Sequence, residues 1–179
     1  AGKPEWETLL DLDEMSKKDS VKWVFKGSSG LYPKYEKFIV RLSKGGGDAV
    51  ICREYDAVKK VFVEDGFFLP EAKGSASFLD ENTLIVQTDF GNKSLTASGY
   101  PRQVKLWKRG TPLSDAQLLF EGNEKDVSCG GYVLRDGDKN YLAIYQSPVF
   151  FKSNNYIWQQ EKALKLDLPD DVSINDILN

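Results

Sequence analysis

One pattern governs what this chain can become. Four short apolar runs, each about a strand long and set apart by turn residues, recur three times along 179 residues. The plainest copy lies between Ser75 and Glu121. Its runs at 76–79, 83–88, 103–107 and 117–120 are each bounded by Asp, Asn, Gly or Pro. Alternation puts Leu84, Val86 and Thr88 on one face of a strand and Ile85 and Gln87 on the other. Val104, Leu106 and Lys108 likewise stand opposite Lys105 and Trp107. Four successive strands with short links predict an antiparallel meander. An earlier unit predicts strands at 21–25, 37–42, 49–55 and 60–63, and a later one at 131–134, 140–146, 156–160 and 163–168.

Unit starts near Val21, Ser75 and Ser128 give a spacing of about 50 residues, which suits propeller-type repeats. A lone meander cannot bury both faces, whereas radial stacking gives each sheet neighbours and short protected edges. The expected fold is therefore all-β, a partial β-propeller of about three four-stranded antiparallel blades. Residues 1–19 form an N-terminal extension, 20–66 blade one, 67–124 blade two and 125–169 blade three, while 170–179 begin a further unit that is cut short. A twelve-stranded β-sandwich is the alternative. It fits less well, because long links recur after the second strand of the two later units instead of at Greek-key crossovers. In the extension, Asp11 or Asp13 can cap a short helix reaching Lys18, and Trp6 and Leu9 are expected to pack on the body.

Composition removes whole classes of chemistry. The chain has no histidine, so neither a Ser–His–Asp nor a Cys–His arrangement, nor an HExxH zinc site, can be assembled within it. No GxSxG nucleophile elbow is present: Gly27–Ser28–Ser29–Gly30 does not match, and neither Ser75 nor Ser98 has the flanking glycines. A formal net charge of -3 argues against a broad nucleic-acid surface, and no apolar run approaches the length of a membrane span. Cys52 and Cys129 are far apart without a CxxC, and read as two buried small hydrophobes.

Several local patterns invite a functional reading that the surrounding residues do not sustain. Asp136, Asp138 and Asn140 match the first three ligand spacings of a calcium loop. Tyr141 stands where that loop needs Gly, however, and Ser147 where it needs Glu, so a hairpin turn is expected. Asp80–Glu81–Asn82 and Glu64–Asp65–Gly66 also read as solvated turns. Gly45–Gly46–Gly47 lacks the Lys-Ser/Thr ending of a phosphate loop. Arg102, Lys105, Lys108 and Arg109 with Trp107 could serve nucleic acid as charge plus a stacking ring. Cross-strand packing under a charged outer face is the expected role. Trp23, Phe38, Tyr132, Tyr145, Tyr156 and Trp158 are expected in the core. Asn92–Lys93–Ser94 is a formal glycosylation sequon, meaningful only in a secretory eukaryotic setting.

The run FFLPEAKGSASFLDENTLIVQTDFGNKSLTASGYPRQVKLWKRGTPL closely resembles a segment of the N-terminal β-propeller of bacterial prolyl oligopeptidase family serine peptidases. PEWETLLDLDEM and YPKYEKFIVRLSKGGGDAVICREYD resemble the stretch just before it, so the likeness covers about residues 4–169. The resemblance implies a seven-bladed propeller placed against a C-terminal α/β-hydrolase domain with a Ser–Asp–His triad. It also implies a non-catalytic role for the propeller: covering the active site, restricting access to short peptides, and supplying some contacts to the chamber. This chain departs from a full member in having about three blades and no hydrolase domain.

On this reading the chain itself carries no catalytic, cofactor or metal residues, and its partners are the parent's hydrolase domain and peptide substrate, with no nucleic acid or membrane. The parent would be a bacterial protein of the cytoplasm or periplasm. An independent peptide- or protein-binding module and a hydrolase in its own right are the competing readings. Accessible function is expected on the links at 67–73, 90–102 and 147–155, because loops on a rigid scaffold carry most binding contacts. The inner faces of the first and third blades, left without neighbours in an open arc and holding the runs 38–42 and 164–168, are expected to be uncovered and to drive self-association. A fold-back of residues 1–19 over one face would oppose it.

Overall fold

The computed structural model describes residues 5–176. Asp11 ends the extended N-terminal stretch because its carboxylate accepts the backbone N–H groups of Asp13 and Glu14, at 3.0 and 2.9 Å. The helix α1 (Leu12–Asp19) follows and closes through Ser20 in the left-handed conformation.

Three antiparallel sheets come next in chain order. The first holds β1 (Trp23–Gly30), β2 (Lys37–Lys44), β3 (Val50–Asp56), β4 (Val61–Phe62) and β5 (Phe68–Ala72). The second is β6 (Ser75–Asp80), β7 (Thr83–Gln87), β8 (Gln103–Lys108) and β9 (Gln117–Glu121). The third is β10 (Ser128–Asp136), β11 (Lys139–Ser147), β12 (Asn154–Gln159) and β13 (Lys162–Lys165). Strand order in the second and third sheets is sequential, as a meander requires. The chain is a partial β-propeller of three blades.

Packing explains the order. Leu84 and Val86 join Ala76 and Phe78 against Ile39, Val50, Cys52, Phe67 and Leu69 of the first blade. Ile85 and Val104 face the other way, onto Cys129, Leu142 and Ile144 of the third. The central strand β7 is thus apolar on both faces because it has a blade on both sides. Blades two and three also meet without a side chain between them at Gly131. A Cβ there would stand 2.4 Å from Ile85 Cδ1 and 2.7 Å from Val104 Cγ1.

Four expectations need correction. The stretch 67–73 is no link: Phe68–Ala72 is a strand that pairs with β3 along the same edge as β4, so the first sheet continues past residue 66. The glycine-rich run after Phe25 does not end β1, which continues to Gly30 through a register shift between Phe25 and Ser28. Trp6 is 91% exposed; Leu10, Leu12 and Met15 do the packing, over Val40, Leu42 and Tyr55. Val40 and Leu42 are therefore buried, and the first blade's outward face is covered by the N-terminal segment. The strand aromatics Trp23, Phe38, Tyr132, Tyr145, Tyr156 and Trp158 are half-buried at the margins of the core.

Candidate functional surface

A meander sends its first and third connections to one end of a blade and its second to the other. Here the three blades agree, which gives the arc a turn end and a link end. The links 90–102 and 147–155 both lie at the link end, while the third predicted link has become β5.

The longer link is locked in shape. Ser94 Oγ accepts the Phe90 N–H at 2.8 Å and donates to Asp89 at 3.0 Å, and Leu95 bridges to Pro101. The Ala97 N–H donates to the Glu124 carbonyl at 2.8 Å, tying the link to the crossing between blades two and three. On the other side the Tyr100 hydroxyl donates to Asp48 at 3.0 Å, and Lys73 Nζ sits 3.9 Å above the Tyr100 ring. Connections of all three units are thereby joined. A cleft of about 730 Å³ opens among Ala97, Asn123–Asp126 and Pro148.

Beneath that cleft Asp126 is buried and accepts the Asn123 N–H and the Gln146 side-chain N–H, both at 2.7 Å. Burial, and secondly the Asp126 charge, push the neighbouring Cys129 thiol up to about 12. Burial also raises Cys52, to about 11. Both cysteines are free and buried, as the sequence suggests.

The shorter link displays apolar side chains instead. Val149, Phe150 and Phe151 are 56%, 75% and 95% exposed. Their turn is held at its base by Lys152, which pairs with Asp170 at 2.6 Å, and by Ser147 and Ser153, whose hydroxyls lie 3.1 Å apart.

At the turn end, the turns of blades one, two and three surround a cleft of about 420 Å³. Asp136, Asp138 and Asn140 belong to the β10–β11 hairpin there, with Gly137 at φ 57° supplying the turn. Among the described residues no group of three or more potential ligands could hold a metal ion. The cations around Trp107 do not form one patch. Arg102 pairs with Glu121, Lys105 sits over Phe90, and Trp107 donates to the Thr111 carbonyl.

Arg109 has a role that the sequence did not signal. It makes a two-pronged pair with Glu54 at 2.8 and 3.0 Å, crossing from blade two to blade one. Glu54 also accepts the Phe67 N–H at 2.9 Å. The two residues are 55 positions apart, and only an acidic residue on the same face of β3 as Val50 and Cys52 could have hinted at the pair.

The fold and these surfaces define a segment of a β-propeller with a tethered link end. The chain belongs to the family of prolyl oligopeptidase N-terminal β-propeller domains, whose model matches residues 1–165. It is 44% identical over 142 residues to an uncharacterized peptidase of Sinorhizobium fredii, covering 79% of this chain and 20% of that protein. An uncharacterized peptidase of Rickettsia prowazekii is 29% identical over 186 residues, covering 96% of this chain and 26% of the relative. Among solved structures, a post-proline cleaving enzyme from Rickettsia typhi superposes with a TM-score of 0.85 at 30% identity, covering 94% of this chain and 26% of that one. The chain therefore spans about a fifth to a quarter of the length of these relatives. Among the described residues no helix is long and apolar enough to cross a membrane.

Proposed function

We propose that this chain is the opening part of the propeller of a proline-directed serine peptidase, where it covers the active site of a C-terminal hydrolase domain and limits entry to short peptides. The link end is the face turned toward that domain. The observation that carries this reading is the pair of exposed rings Phe150 and Phe151 on a turn held at its base, on the link that also lends Pro148 to the cleft at this end. Exposed apolar side chains clustered on a tethered turn suit a surface that is covered in the whole protein. Catalysis is assigned to the parent's other domain, since this chain holds no histidine and no nucleophile elbow.

The test uses the longer protein that continues from this chain. Replacing Val149, Phe150 and Phe151 together by Ser should change kcat/KM for long proline-containing peptides relative to short ones, because entry and not chemistry is altered. An unchanged ratio for long and short peptides, with the fold intact, would refute the covering role of this face.

A further inference from the structure

The chain has five arginines, and four of them are engaged. Arg53 lies 4.1 Å from the Phe62 ring centroid, Arg102 pairs with Glu121, Arg109 pairs with Glu54, and Arg135 donates to the Phe78 carbonyl. Arg41 alone, among the described residues, has no hydrogen bond, ion pair or ring partner, and its Nε is buried. Burial pushes the Cys52 thiol, directly across on β3, up to about 11, and the Arg41 charge only partly offsets this. That neighbour therefore stays neutral and is no counter-ion. Ser43, two residues along the same face of β2, is 1% exposed, and its hydroxyl also lacks a partner. Two donors on one strand face are thus without an acceptor, a rare state for buried polar groups in a folded protein.

The backbone is shaped around Arg41. Phe25 stands opposite Leu42 and Ser28 opposite Val40, so Lys26 and Gly27 together face the single Arg41 in a bulge. Gly27 has φ +111°, and a Cβ there would stand 2.6 Å from an outer guanidinium nitrogen of Arg41 and 3.5 Å from its Cζ. The side chain thus reaches from β2 across β1, at a point where a glycine lets it pass. β1 is the edge strand of its sheet, and β1 and β10 each lie against β6, so the first strands of the three blades run beside one another along one side of the arc. Those strands carry acids only at their turn ends, Asp80 and Asp136, while Lys26 is turned to the Gly46 carbonyl at 3.4 Å. A half-buried cation with no counter-charge stands beside them.

We infer that Arg41 is an oxyanion-binding residue on this side of the arc, its outer guanidinium nitrogens taking a small carboxylate or phosphate beside the bulge at Gly27. A planar guanidinium meets either group with two parallel hydrogen bonds, which is the recognition that a lysine cannot reproduce. The site uses none of the link-end residues. Its test is therefore independent of whether that surface is covered.

The 179-residue chain itself is the reagent, isotope-labelled so that the Nε–Hε signals of its five arginines are followed one by one. Sodium phosphate or sodium acetate replaces sodium chloride at constant pH and ionic strength. A saturable shift of the Arg41 signal is expected with the other four arginines unmoved, and the tighter of the two probes names the source chemistry. Arg41→Gln should abolish the accompanying shifts of the Gly27 and Ser28 amides. Arg41→Lys keeps the charge without the planar fork and should weaken binding about threefold, the worth of one exposed charged pair. Unchanged amide shifts for core residues such as Ile85 report the intact fold in both variants. The assignment is overturned by an Arg41 signal that does not saturate, by all five arginines shifting alike, or by equal affinity in Arg41→Lys; the last two results mean an adventitious ion only.

Discussion

Replacing Arg109 by Met is the sharpest probe of how the first two blades are joined. Glu54 has no exposed side-chain surface, and Arg109 is 27% exposed. Removing the guanidinium takes away two hydrogen bonds to a buried carboxylate, at 2.8 and 3.0 Å, and leaves it one backbone donor, the Phe67 N–H. It also removes the cation 4.3 Å from the Phe67 ring and the donor at 2.8 Å to the Glu81 carbonyl. Breaking one side of a buried pair costs about 3–5 kcal/mol, a large part of the about 5–15 kcal/mol that holds a domain folded. With a urea slope of about 2 kcal/mol per molar, the midpoint should fall by about 1.5–2.5 M. Pairing the change with Glu54→Gln should restore about 1–3 kcal/mol, because a neutral amide can still accept the Phe67 N–H without burying a charge. The exposed pair Lys44–Glu71, at 2.8 Å, is the control, and its loss should cost no more than about 1 kcal/mol. If Arg109→Met proves as mild as that control, the join between the blades does not depend on this pair.

Other predictions follow from the same contacts. Gly74→Ala should be severely destabilising, seen as loss of soluble folded chain or a strongly lowered melt, since its φ is +151° and a Cβ would stand 2.2 Å from the Gln87 carbonyl oxygen; Gly45→Ala, with open space around it, should be far milder. Cys52 and Cys129 should resist alkylation at neutral pH until urea unfolds the chain. Because burial raises both thiols from their ordinary value of 9.0, to about 11 and about 12, their contribution to stability is full below pH 9 and is lost as pH rises toward those values, so an alkaline urea series should show a falling midpoint. Self-association of the chain should run through the third blade, where Leu164 and Leu168 are 43% and 44% exposed, and not through the covered first; Leu164→Lys should lower the mass seen by light scattering on dilution, and an unaltered mass would remove that face from the account.

Most of the strand pattern was legible because alternation and turn residues are local signals. The runs at 83–88 and 103–107 fall on β7 and β8, and Asp11 caps α1. The miss at β5 has a physical cause. Pro70 within FLPEA argues against a strand, yet β5 lies on the sheet edge and its pairing with β3 is irregular between Leu69 and Ala72, where Pro70 sits. Packing between distant units left no such local trace. Trp6 looked like an anchor by its size, but the position of α1 turns Leu10, Leu12 and Met15 onto the sheet instead. Nothing in the spacing joined Glu54 to Arg109, or brought the turns of three blades around one cleft. The link-end surface was half legible: length marked 90–102 and 147–155 as links, and only the strand directions put them at one end.

The most direct measurement of the central claim, a non-catalytic propeller segment within a serine peptidase, is labelling of the longer protein with a fluorophosphonate, followed by digestion to find the modified serine. A label is expected on a serine outside residues 1–179, and none on this chain alone. A stoichiometric label on any serine within these residues, abolished by denaturation beforehand, would contradict it.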